Sequence, residues 1–269
     1  MEQLDILGVS AKCSVFSLAQ SQDFGGSSPK PPLRIGDLLV RLDGVRQQID
    51  PWSNIETFIN KCKDIGLSGV DKPFYEAWMA SLPPESSFMV PDTLHGIHKM
   101  VYDHILQWML SLVGKKEFDY RLSILQPMVG IRSWPQGIST LKQLTGRDHR
   151  AISRLIVAVA EENTRKSAFK AIRLLLEFLA MAQCSFFTEA SIRALKEKLD
   201  DFHDIKADIL LSGGRKSKGP WSSVDEDFGI AKLEAFLSFP RLIVEMGALY
   251  QYTTQGTEHC HVPFVRTPF

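Results

Sequence analysis

The longest regular pattern in this sequence runs over residues 93–113, where Leu94, Ile97, Val101, Ile105, Trp108, Met109 and Leu112 recur at steps of three and four. That spacing predicts an amphipathic helix burying one face, and Gly114 is a natural stop. The same periodicity predicts further helices. Residues 52–65 follow Pro51, which suits a first helical turn, and residues 72–81 form a short helix ended by Pro83-Pro84. Trp134-Pro135-Gln136-Gly137 reads as a turn, and residues 144–149 then lead into a helix with Ile152, Leu155, Ile156 and Val159 on one side. Residues 167–183 are apolar on most faces, the signature of a central buried helix. Thr188 is placed to cap a helix reaching about Leu211, striped by Leu195, Leu199, Phe202 and Ile209. A last helix spans 230–247, with Pro240 expected to kink or break it. Residues 33–42 read as a short strand or a helix, and 22–32 as a loop rich in Gly, Ser and Pro. The chain is mainly α with few or no short strands, and it carries no repeat of solenoid period.

Composition adds mostly exclusions. Of the 269 residues, 44% are apolar and 23% charged, as in an ordinary globular protein. Thirty-one basic residues balance thirty-one acidic ones, so bulk charge makes no case for nucleic acid or membrane. Cys13, Cys62, Cys184 and Cys260 are too scattered for a disulfide framework or a self-contained zinc module, and a buried apolar cysteine is the default. The apolar stretches 105–113 and 174–182 are too short for a bilayer. No basic, apolar, small-residue leader opens the sequence, so a soluble intracellular protein is expected.

Three places carry candidate chemistry. Asp92, after Pro91 and before the longest stripe, suits a helix N-cap; alternatively Asp92 and His95 line an active-site wall. Glu258-His259-Cys260-His261 is dense in potential metal ligands, and Glu258 and His261 would share a face if helical; the other reading is a polar terminal loop. The glycine-rich loop at 212–220 carries Arg215, Lys216 and Lys218, which either touch phosphates or are simply solvated. Gly-x-Ser-x-Gly, phosphate-loop and Rossmann motifs are missing from the sequence.

Taken in order, these segments resemble the Plavaka transposases of fungi, relatives of the CACTA-like cut-and-paste DNA transposases. The most specific piece is Pro91-Asp92-Thr93-Leu94-His95 followed by Asp103-His104. Gly8 to Gln20 with Asp23-Phe24-Gly25, the Leu144-Thr145-Gly146-Arg147-Asp148 segment, and Thr257-Glu258 with His261 and Arg266-Thr267-Pro268-Phe269 also resemble the family. The resemblance implies an RNase H-like catalytic domain interrupted by a large helical insertion, with magnesium or manganese held by three carboxylates. It divides this chain into a catalytic-core remnant at 1–45, a helical insertion at 46–250 and a core segment at 251–269. It matches Glu258 to the third carboxylate, catalytic and metal-binding, and His261 to the histidine after it. Asp92 and His95 match a motif that shapes the site rather than binding metal.

The family's first two aspartates precede the matching region, and Glu2-Gln3 resembles the residues just after the second. A Cys-x-x-Cys of some relatives is reduced to Cys13 and Phe16, and a histidine of the family is Glu234 here. The expectation is a transposase fragment inactive alone, with no metal bound by the fragment itself. Its implied partner is transposon-end DNA and its implied location nuclear. The competing expectation is a host-adopted helical module binding DNA or protein without catalysis. An exposed apolar face would favour self-association.

Overall fold

The computed structural model describes residues 7–81, 89–141, 144–159 and 166–261, except the side chains of Met79, Ala80, Ser81, Glu258 and His261. Glu2-Gln3, Pro83-Pro84 and the final Arg266 to Phe269 lie outside the described residues. The helices are α1 (Ile35–Arg46), α2 (Ile55–Asp64), α3 (Leu106–Val113), α4 (Lys115–Ser123), α5 (Gly146–Leu155) and α6 (Lys166–Met181). They continue with α7 (Glu189–Ile205), α8 (Ala207–Leu211), α9 (Val224–Asp227), α10 (Ala231–Leu237), α11 (Phe239–Met246) and α12 (Gln255–His261). The chain is mainly helical. Its described β pairing is three isolated antiparallel bridges, Val9 with Leu67, Cys13 with Gln20 and Ser17 with Pro32.

The molecule divides into two compact units. The first comprises residues 1–90 and 228–238. Within it, the stretch 33–42 is helical from Ile35 onward: α1 buries Ile35, Leu38, Leu42 and Val45, a three-and-four spacing that an alternating strand cannot satisfy. Arg46 ends α1 and reaches Asp43 at 2.8 Å, Asp71 at 3.1 Å and Glu76 at 2.7 Å. The guanidinium thereby ties α1 to the short 3₁₀ helix Glu76–Ser81, which stands where a helix over 72–81 is expected. α2 begins later than Pro51 suggests, because Asn54 caps it by accepting the Thr57 N–H at 3.1 Å. Residues 228–238 belong to this unit: the buried Glu234 on α10 accepts the hydroxyl proton of buried Ser17.

The expected helix over 230–247 is two helices in different units. The break falls at Ser238, and Pro240 is the second residue of α11, where its missing N–H would have no intrahelical partner anyway.

The second unit comprises residues 91–227 and 239–269. Its centre is α6, which buries Ala168, Ala171, Ile172, Leu174, Leu175, Leu176, Phe178 and Leu179. Phe178 stacks on Phe239 of α11 at 5.9 Å, and each such ring contributes about 1.5–3 kcal/mol by leaving water. Most of α6's other packing is against α7. The polar edge of that pair carries Glu177, which meets Arg173 at 2.8 Å and Lys198 of α7 at 2.9 Å. Thr188 caps α7 as expected, its hydroxyl accepting the Ser191 N–H at 3.1 Å. The helix expected to reach Leu211 pauses at Lys206 before α8.

α4 follows α3 with only Gly114 between, at φ 92°, a left-handed conformation that lets the chain stop one helix and start the next. Asp119 of α4 accepts the N–H groups of Ile138 and Ser139, at 2.8 and 3.0 Å, and so holds the turn at Trp134 to Gly137.

Candidate functional site

The long helical stripe begins immediately after Asp92 and contains two π-helical turns, Leu94–His98 and Val101–Ile105, before α3. Each widens the helix by one residue: the Lys99 N–H reaches Leu94 O and the Leu106 N–H reaches Val101 O, five positions back.

Asp92 is the N-terminal cap and more. Its Oδ1 accepts the Leu94 N–H at 3.1 Å and the Thr254 N–H at 3.0 Å. Its Oδ2 accepts the Thr254 hydroxyl at 2.8 Å, the His95 N–H at 3.3 Å, and a close contact from His95 Nδ1. Thr93 N–H adds a bond to Tyr252 O at 3.0 Å. One carboxylate thus closes the start of the helix and fastens a segment 162 residues away in sequence. Burial opposes the Asp92 charge, but the donors from Thr254, His95 and Leu94 outweigh it and hold the carboxyl below its ordinary range. His95 keeps about half its side chain in solvent.

The fastened segment leads into α12, so the stretch holding Glu258 and His261 is helical and not a loop, with those positions one turn apart. Their side chains lie outside the described residues.

A third segment joins the first two. Thr145 caps α5 through a reciprocal box with Asp148, whose carboxylate also meets Arg132 at 2.7 Å. Gly146, next to that cap, sits so close to Leu94 that an added Cβ would lie 2.5 Å from Leu94 Cδ1. The Pro-Asp-x-Leu-His, Leu-Thr-Gly-Arg-Asp and C-terminal segments are therefore physical neighbours within one unit.

Residues 1–109 match the family model described as Plavaka transposase. Over these residues the chain is similar to Plavaka transposases. No curated protein and no solved structure matches the chain. The matched stretch ends after the Asp92 and His95 motif, and hydrogen bonding and packing carry that motif's neighbourhood on to Thr254 and Gly146.

The transposase family suggests a divalent metal. Both Asp92 oxygens are spent on N–H and O–H donors, and among the described residues no three His, Cys, Asp or Glu side chains gather to hold an ion. The described donor set does not fit a two-metal centre. Sequence alone does not single out Thr254, although an Asp cap with both oxygens near a loop invites a second donor. His98, one turn beyond His95, is likewise unmarked by any motif. It is buried, and burial together with Arg150 and His149 pushes its imidazole down to about 4, against the pull of Asp92.

The basic loop is built around a buried carboxylate. Asp227 accepts from Ser217 Oγ at 3.0 Å, the Lys218 N–H at 2.6 Å and Ser222 Oγ at 3.0 Å. Arg215 is half-buried and donates Nε to the Asp227 carbonyl at 2.7 Å, while Lys216 and Lys218 are exposed. Gly214 packs on Leu112, which brings the loop beside the end of α3; Lys115 and Lys116 stand exposed just beyond it.

No described helix is long and apolar enough to cross a membrane.

Proposed function

We propose that this chain is the helical, DNA-engaging portion of a cut-and-paste transposase. In this reading Asp92 is a positioning residue: it holds the segment from which α12 delivers Glu258, the family's third carboxylate. The observation that carries the proposal is the double hydrogen bond from Thr254 to Asp92, which ties the Plavaka motif to the Glu258 segment. The family match over residues 1–109 supports the DNA partner, and a nuclear location would follow from it. One matched carboxylate cannot hold two metals in the geometry that phosphodiester exchange requires. The chain therefore binds DNA without cutting it unless the other carboxylates are supplied from elsewhere.

The test is to mix the full chain with duplex DNA at low salt, then with supercoiled plasmid and magnesium or manganese. Salt-dependent binding without nicking is expected. Failure to bind at low salt would overturn the DNA reading, and nicking abolished by Glu258→Gln would overturn the expected inactivity.

A further inference from the structure

A cavity of about 320 Å³ opens beside the first π turn, within the second unit. Its floor is apolar, formed by Val101, Leu176 and Leu179 among others; its polar wall carries Arg150, Arg154 and His98. Among the described residues no carboxylate lines it. Arg150 and Arg154 are one turn apart on α5, and neither pairs with an acid among the described residues. This contrasts with Arg46, Arg121, Arg132, Arg173 and Arg241, each of which meets a carboxylate. Two guanidiniums facing a concave site without a described acid are an unbalanced positive charge, and a planar fork of N–H donors matches the paired oxygens of a phosphate or a carboxylate; the DNA reading selects phosphate. The local frame is rigid. Asp148 fixes the start of α5 through its cap and Arg132. Ser153 returns its hydroxyl to Arg150 O at 2.8 Å and so does not compete for the anion.

We propose that this cavity is a phosphate-binding site in which Arg150 and Arg154 grip one backbone phosphate of a DNA strand while His98 closes the inner wall. The inference rests on the DNA reading above, and it adds where the strand is held. It also gives the two π turns a consequence: widening the helix at Leu94–His98 sets His98 onto the cavity wall one turn beyond Asp92. A free phosphate group offers the same chemistry, so the experiment separates the two sources.

Duplex binding is measured by fluorescence anisotropy against salt for the wild-type chain, Arg150→Gln/Arg154→Gln and Arg150→Lys/Arg154→Lys. In parallel, the His98 ring resonance is followed by NMR while inorganic phosphate is added. The expected result is roughly tenfold weaker DNA binding in the Gln variant, as for one lost charged contact. The slope of log K against log salt should fall by about 1. The Lys variant should bind between the other two. Inorganic phosphate should shift the wild-type His98 signal and leave that of the Gln variant unmoved. A saturable phosphate shift without DNA binding would keep the anion site while overturning both its DNA source and the DNA reading. Unchanged DNA affinity and salt slope in the Gln variant, with no phosphate shift in the wild type, would overturn the site. Matching circular dichroism spectra of the three proteins guard against reading misfolding as lost binding.

Discussion

Asp92 and the Arg150–Arg154 pair lie in the same unit and handle charge in opposite ways. Around Asp92 each oxygen is met by donors, from the helix it caps and from Thr254 far along the chain. Beside the cavity two guanidiniums stand without a described acid. A charge satisfied within the chain holds the fold; a charge left facing a cavity is available to a ligand. Mutations should separate the two regions, since the first should cost stability with little direct effect on DNA, and the second the reverse.

The largest effect is expected from Asp92→Ala. It removes a cap and strands the Thr254 and His95 donors, for an expected loss of about 3 kcal/mol in urea denaturation. Asp92→Asn retains one acceptor oxygen and should lose less.

Acid sharpens the comparison next. His98 and His203 are both pushed down to about 4, largely by burial, from an ordinary 6.5. The unfolded chain therefore binds more protons than the folded one between those values. Their contribution is fully present above pH 6.5 and is lost as pH falls toward 4, at no more than about 1.4 kcal/mol per pH unit for each histidine. Asp92, held below its ordinary 3.8, adds stability that is lost only at still lower pH. Urea midpoints measured from pH 7 to 3 should fall in that order. His98→Gln should flatten the upper part of the curve.

The smallest stability effect is expected from Arg150→Gln/Arg154→Gln. Arg154 is exposed and neither arginine is paired with a described acid, so the change should stay within about 0.5 kcal/mol by urea denaturation. A large destabilisation would show that these charges hold the fold after all.

Much of this contrast is hidden in the sequence for physical reasons. The helices follow from local periodicity, and the Thr188 cap and the Gly114 stop are legible because a cap depends on its immediate neighbours. Asp92 is legible as a cap for the same reason. Its bond to Thr254 is not, because no local pattern relates residues 162 positions apart. α4 is faint in the sequence because only Phe118 and Leu122 mark its buried face. The loop at Arg215 reads as basic and open, yet Asp227 organises it from nine or more residues away. Arg150 and Arg154 lie on a polar helix face that no local pattern marks out; only the packing of α5 against the π turns, with Leu176 and Leu179 of α6 lining the space, makes a cavity of it.

The central claim is that Asp92 and Thr254 act as one unit joining the Plavaka motif to the segment that carries Glu258. A double-mutant cycle tests it most directly, with Asp92→Ala, Thr254→Val and the double variant measured by urea denaturation. A coupling of about 1–2 kcal/mol is expected, the double variant being barely less stable than Asp92→Ala alone. Strictly additive losses would mean that the two residues stabilise the fold separately, and the link between the motif and the Glu258 segment would be contradicted.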